Sequence, residues 1–270
     1  MPPPGSAGVV KASSSDAKAG NYTYKRISSV IFDAVEKKID LGSDIHSDTM
    51  TFGKSTFTAT VDNVALDGAP TFTNSTIDVS TKTITSSGGT ITFDGSTTFN
   101  TTYDGTTYGK FVNSKGTNFV INKTGSVALN FSDTTVGRQK DSATLTIIDN
   151  QGNNVTADTL TLLRSAAVNF PQTSNNRLVK WTVSVADNGS VSIASGDDSE
   201  KVLNEILVKQ FGENGSTNER AVVKELLNAP AGSDASKVIG QVSDSNMSES
   251  RVGELIQRIT STTEGVKNQM

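Results

Sequence analysis

The single histidine, His46, sits in LGSDIHSDTM between Asp44 and Asp48. An imidazole steered by a carboxylate is two thirds of a nucleophilic triad, and it needs a nucleophile within hydrogen-bond reach. No GxSxG elbow accompanies it, so His46 reads as a solvated residue of a polar connector. One histidine and no cysteine leave a zinc ligand set unfilled. Carboxylates can work without histidine, as when paired acids flank a sugar bond. Asp94 and Asp104 each precede glycine, and Asp197 and Asp198 are adjacent. Asp-Gly is first of all a turn pair, and the chain is short of the aromatic and basic groups that line a sugar cleft. DNQGNN at 149–154 lacks the acidic ligand pattern of a calcium loop. Trp181 alternates with Val179, Val183 and Val185, the setting of a core or end-cap residue. The Asn-x-Ser/Thr sites at Asn74, Asn100, Asn122 and Asn188 arise by composition in so Asn- and Thr-rich a chain. No catalytic residue, cofactor or metal ligand is expected.

The elements that would carry these residues are drawn by alternation. FTNSTIDVSTKTITSSGGTITFDGSTTFN at 72–100 sets Ile, Val and Phe near every second position, with Thr, Ser and Asn between them. A strand built so has one apolar and one hydroxylated face, and SSGG and DGS supply its turns. Similar segments fill about Thr49 to Ala194, and VSVADNGSVSI has the centre of a hairpin. Phe52, Phe72, Phe93, Phe111 and Phe131 lie 20, 21, 18 and 20 residues apart, near the period of one coil of a parallel β-helix. An antiparallel sandwich of hairpins remains the alternative.

Composition bounds both architectures. Of 270 residues 34% are hydrophobic and 6% aromatic, with a mean hydropathy of -0.29, which suits a thin core better than a wide one. Cysteine is absent, which excludes a disulfide framework and fits a chain exported in threadable form. A net charge of -4 offers no basic field for nucleic acid. No stretch approaches the roughly 20 apolar residues of a membrane-spanning helix.

Four zones result. Residues 1–26 read as a flexible leader, rich in Pro, Gly, Ser and Ala near its start. Residues 27–48 read as a capping helix and connector, since Ile27, Val30, Ile31, Val35 and Ile39 have helical spacing. Residues 49–198 form the β-solenoid and 199–270 a run of short helices. Those helices carry stripes at Val202, Leu203, Ile206, Leu207 and Val208, at Val222, Val223, Leu226 and Leu227, and at Val252, Leu255, Ile256 and Ile259. Asp198 or Ser199 caps the first of them and Gly212 stops it.

The segment STNERAVVKELLNAPAGSDASKVIGQVSDSNMSESRVGELIQRI at 216–259 resembles the helical junction that precedes the translocator barrel in bacterial autotransporters, the type V secretion proteins. Asn218, Arg220, Ala221, Val222, Leu226 and Leu227 stand in matching places. Lys224, Glu225 and the reduced VIGQV depart from that pattern. The resemblance implies a mainly β protein: a right-handed parallel β-helix followed by a short C-terminal α-helical segment. It further implies a passenger module, structural and adhesive and not catalytic, at the outer membrane, on the bacterial surface or secreted. Its partners would be its own outer-membrane barrel and a ligand on a host or neighbouring cell. A carbohydrate-active β-helix enzyme is the alternative. The terminal helices are expected to be unstable alone, for lack of a core to pack against.

Overall fold

A computed structural model describes residues 9–19, 22–33, 38–114, 116–139, 141–151, 155–170 and 172–267. In chain order the first elements are β1 (Val9–Ala19), β2 (Tyr22–Asp33), β3 (Lys38–Leu41), β4 (Ile45–Gly53), β5 (Thr56–Ala59) and β6 (Asn63–Thr73). Then come β7 (Thr76–Ser80), β8 (Thr83–Ser86), β9 (Ile91–Asp94), β10 (Ser96–Tyr103), β11 (Lys110–Asn113), β12 (Phe119–Ile121) and β13 (Ser126–Asp133). After β14 (Thr144–Asp149) come α1 (Ala157–Val168), β15 (Gln172–Ser174), β16 (Val179–Val185) and β17 (Val191–Asp197). Four helices finish the chain: α2 (Ser199–Gly215), α3 (Thr217–Leu227), α4 (Asp234–Ser243) and α5 (Glu249–Lys267). The fold is mainly β, with parallel sheets and a C-terminal helical segment.

Two compact units divide the chain. The first takes Met1–Ser132, Leu145–Gln172 and Val183–Ile193; the second takes Asp133–Thr144, Thr173–Thr182 and Ala194–Met270.

In the first unit the alternating segments pair in parallel, in three rows. One row aligns Val64 with Ile84, Ile84 with Phe111 and Phe111 with Ile148. A second aligns Phe32, Phe52, Phe72 and Phe93, and Phe93 with Ile121. The third aligns Ile39, Phe57, Ile77 and Phe99. Like residues therefore stack on like, and all but Phe32 and Ile39 of these are buried. Phe52 lies 4.7 Å from Phe72 with rings nearly parallel, and 5.2 Å from Phe32. Burying each such side chain contributes about 1.5–3 kcal/mol before chain entropy is charged against it.

The ladder of five phenylalanines is only half as drawn from the sequence. Phe52, Phe72 and Phe93 share a row, but Phe111 belongs to the row of Ile84, meeting Phe72 and Phe93 edge-on at 6.2 and 6.1 Å. Phe131 lies on β13 and stacks on Phe170 at 6.1 Å. The cause is coil length. Steps of 20 and 21 residues hold as far as Phe93, whereas Asn122 reaches back 28 residues to Asp94 and Asn130 reaches back 30 to Asn100. Part of the excess is the Tyr103–Tyr108 turn, closed by an antiparallel bridge. A stack of coils of equal length is therefore not what forms.

Corners between rows need close backbone approach. A Cβ on Gly68 would lie 1.7 Å from the Ser47 carbonyl oxygen, so no side chain fits there. The stack's third coil meets the same corner with Gly88, whose Cβ would fall 2.6 Å from the Gly68 nitrogen.

Two expectations fail at the N-terminal side. No helix covers 27–48: β2, β3 and β4 run there as strands, with 34–37 outside the described residues. The helical spacing of Ile27, Val30 and Ile31 coexists with an alternation of Val30 and Phe32, and pairing against Met50 and Phe52 selects the second. Of the expected leader, 1–8, 20 and 21 lie outside the described residues, while β1 pairs antiparallel with β2.

A helix was missed in the 49–198 zone. TADTLTLL alternates like a strand, yet Thr156 caps α1 by accepting from the Thr159 amide, and Thr159, Leu163 and Ala166 form its buried stripe. The Thr159 hydroxyl also accepts from the Ile121 amide, at 3.0 Å, which supplies a partner to the backbone at the end of a row. The hairpin expected in VSVADNGSVSI forms from β16 and β17, closed by the Ala186 amide on the Ser190 carbonyl at 2.9 Å.

The second unit holds its own core. Leu203, Ile206 and Leu207 of α2 pack with Val223, Leu226 and Leu227 of α3, Ile239 and Val242 of α4, and Val252 and Ile256 of α5. The stripes read from the sequence thus face one another, which corrects the expectation that they lack a core. Gly212, at φ 76° and ψ 166°, is non-helical and divides α2 into two helical pieces at the expected stop. Among the described residues no helix is long and apolar enough to cross a membrane, which says nothing of β-barrels.

Candidate functional site

The outward side of the three rows is the largest repeated feature of the first unit. Because inward positions alternate with outward ones, the same registers that stack phenylalanine also rank polar groups. Thr51, Thr71 and Thr92 align on one row, and Thr56, Thr76 and Thr98 on another, all half-buried. Beside the latter, Asp78 aligns with Asn100, whose side-chain oxygen accepts from Asn130 Nδ2 at 2.9 Å. At the adjoining corner Asn74, at φ 48°, accepts from the Ser96 amide at 2.9 Å. Asp94 accepts there from Asn122 Nδ2 at 2.9 Å. Such a face offers hydroxyls and amides at strand spacing, with little charge.

The residues singled out for chemistry are not brought together. His46 lies on β4 with Nδ1 3.4 Å from Asp67 of the next coil, both well exposed. Its sequence neighbour Asp44 accepts instead from the Ala65 amide at 2.8 Å. Asp104 caps its own turn through the Thr107 and Thr106 amides and the Thr107 hydroxyl, which hold its carboxyl below the ordinary value. Asp198 is the N-cap residue of α2 without a side-chain cap bond; Asp197 binds the Ser199 amide at 3.0 Å and Arg138 Nε at 2.7 Å. Burial pushes the Asp197 carboxyl up, but Ser199 and Arg138 outweigh it and leave a lowered pKa. These are structural duties.

Asn150, of the DNQGNN stretch, is fully buried; it accepts from Asn113 Nδ2 at 2.6 Å, and its side chain donates to the Asn188 carbonyl. Residues 152–154 of that stretch lie outside the described residues. Asn188 in turn accepts from the Ser190 amide at 3.0 Å. Among the described residues no group of three acids or histidines could hold a metal ion.

Trp181 is 2% exposed and donates from Nε1 to Asp133 at 2.9 Å. Sequence reasoning missed Asp133. Its fully buried carboxylate also accepts from the Thr135 amide at 2.9 Å and the Ser174 hydroxyl at 3.1 Å. The signal was Asp-x-Thr directly after an alternating strand, an Asx-turn pattern. Asn176 extends this network to the Gly137 carbonyl at 2.8 Å, and Arg177 beside it donates to the Asp244 carbonyl at 2.5 Å.

No family model matches the sequence, and no solved structure matches it. Over 189 residues the chain is 29% identical to outer membrane protein B of Rickettsia japonica. The alignment takes in 69% of this chain and 11% of that protein, so the chain spans about a tenth of its relative's length. The relative is an outer membrane protein, which accords with an outer-membrane or cell-surface location for this chain.

Proposed function

We propose that this chain is a segment of a surface-displayed passenger of the autotransporter type, built on a right-handed parallel β-helix, with a structural and adhesive role and no catalysis. The observation that carries this reading is the set of three in-register rows, Val64–Ile84–Phe111, Phe52–Phe72–Phe93 and Phe57–Ile77–Phe99. Rows that step by one coil are how a solenoid builds a narrow core and a long outer face. The similarity to an outer membrane protein supports the location. The engagement of Asp104 and Asp197 in local caps removes support from a sugar-cleaving pair. Contact with other cells would use the outward Thr, Asn and Asp ranks, whose polar groups recur at about 4.8 Å between strands.

The helices after Ser199 remain the candidate junction to an outer-membrane barrel, now as a packed unit rather than loose segments. The test is to fuse the chain ahead of an outer-membrane translocator barrel and treat intact cells with protease. Cleavage of the passenger without lysis is expected, and a passenger protected until lysis would overturn surface display. Beads coated with the same chain should adhere to host or bacterial cells more than beads coated with an unrelated solenoid; equal adhesion removes the adhesive role.

A further inference from the structure

A cavity of about 430 Å³ opens in the second unit between Gly137, Arg138 and Asp141 on one side and the connection from α3 to α4 on the other. Its floor is apolar and buried: Leu226 and Leu227 at the end of α3, and Ile239 of α4. Ala231 and Gly232 at the rim are small and exposed, which keeps the mouth wide. The size falls within the ordinary range for a small-ligand site.

The electrostatics at the rim are one-sided. Among the described residues Arg138 is the cation there, but its charge is already matched: Nε and Nη2 both lie 2.7 Å from Asp197 Oδ2, and Nη1 donates to the Leu227 carbonyl at 2.6 Å. Asp234, in the first turn of α4, is matched by Lys237 at 2.7 Å. Asp141 is exposed and lines the cavity. The cavity therefore combines an aliphatic floor with a carboxylate at its edge.

We propose that this cavity accepts an alkylammonium group, with its methylene stem on Leu226, Leu227 and Ile239 and its ammonium at Asp141. A free aliphatic amine and a lysine side chain share that chemistry. One exposed ion pair and a few methylenes support a dissociation constant on the order of millimolar.

The test uses the full chain labelled with ¹⁵N. Titration with n-pentylammonium, and separately with a Gly-Lys-Gly peptide, should give saturable shifts at the amides of Asp141, Ala231 and Ser236; the tighter of the two ligands identifies the source. Asp141→Asn should weaken binding about two- to fivefold, and Ala231→Phe should abolish it while Trp181 emission stays unchanged. Absence of saturable shifts overturns the proposal, as does an Asp141→Asn variant that binds equally well. Pentanoate or pentanol binding as tightly as the amine would also overturn it, the first by assigning the site to Arg138 and the second to the floor alone.

Discussion

In the first unit a residue's neighbours are fixed by register; in the second they are fixed by contacts that occur once. Phe72 meets Phe52 and Phe93 because each coil returns to the same row. Leu207 shares one core with α3, α4 and α5 residues because four helices converge. A register tolerates insertions, since extra residues can leave at a corner, as Tyr103–Tyr108 does without disturbing the pairing of Phe111 with Ile84. A one-off junction does not. Arg138 holds both Asp197 and the Leu227 carbonyl, and Arg177 holds the Asp244 carbonyl and that of Met247. Shifting any of these segments by a residue breaks the set.

The largest effect should come from breaking a row. Phe72 is fully buried with Phe52 at 4.7 Å, Phe93 at 5.7 Å and Phe111 at 6.2 Å around its ring. Phe72→Ala should cost about 3–5 kcal/mol, read as a lowered urea midpoint by far-UV circular dichroism. A loss below about 1 kcal/mol would mean that the backbone ladders alone, and not the stacked rings, hold the rows.

Next comes the helical core. Leu207→Ala leaves a cavity among buried Leu203, Val223 and Ile256 and should cost about 2–5 kcal/mol. Trp181, the sole tryptophan, reports on this unit through its emission. In the unaltered chain, amides within α2, α3 and α5 should be slow to exchange with deuterium, because their apolar faces are packed. Exchange as fast as in an unfolded peptide would restore the view that these helices need a partner.

The same comparison explains what could be read from the sequence. Alternation around Ile77, Ile84 and Phe93 predicts strands with one inward face, since a strand's face depends only on local parity. Apolar stripes on α2, α3 and α5 are legible for the like reason of helical period. What fails is anything decided by distant partners. Val30 and Phe32 carry a strand pattern hidden inside a helical one, and only Met50 and Phe52 choose between them. Asp133 looks like a strand-end turn residue until Trp181 and Ser174, more than 40 residues on, close over it. That the stripes after Ser199 pack together instead of waiting for another protein depends on a convergence no single helix encodes. Of the chemically suggestive residues, Asp104 forms the turn that its glycine neighbour indicates, because that role is local.

A smaller effect should follow at Asp197. Its carboxyl has a lowered pKa in the folded chain, so its contribution is present above the unfolded carboxylate value near 3.9 and is lost as pH falls through the folded value. Asp197→Asn should destabilise the second unit by about 1–2 kcal/mol at pH 7. The penalty should shrink as the pH falls from about 4 toward the lowered folded value, below which the native side chain is itself protonated. A penalty independent of pH would assign the effect to hydrogen-bond geometry with Ser199 and not to the charge shared with Arg138.

The smallest effect tests the first unit where chemistry was most suggestive. His46 is the only histidine, 64% exposed, and its Nδ1 lies 3.4 Å from Asp67, itself 40% exposed. An exposed pair of this kind contributes about 0–1 kcal/mol, and only while the imidazole is charged. The residue pairs with Asp67 where a register irregularity between β4 and β6 begins, and its exposed side chain is not needed to hold a row. His46→Ala should therefore leave the urea midpoint of the first unit unchanged within about 0.5 kcal/mol, and leave cell adhesion of the coated beads unchanged. A drop of 2 kcal/mol or more would show that this corner of the stack is held by side-chain pairing and not by the close backbone approach at Gly68. Loss of a measurable hydrolytic activity in the same variant would overturn the non-catalytic reading of the whole chain.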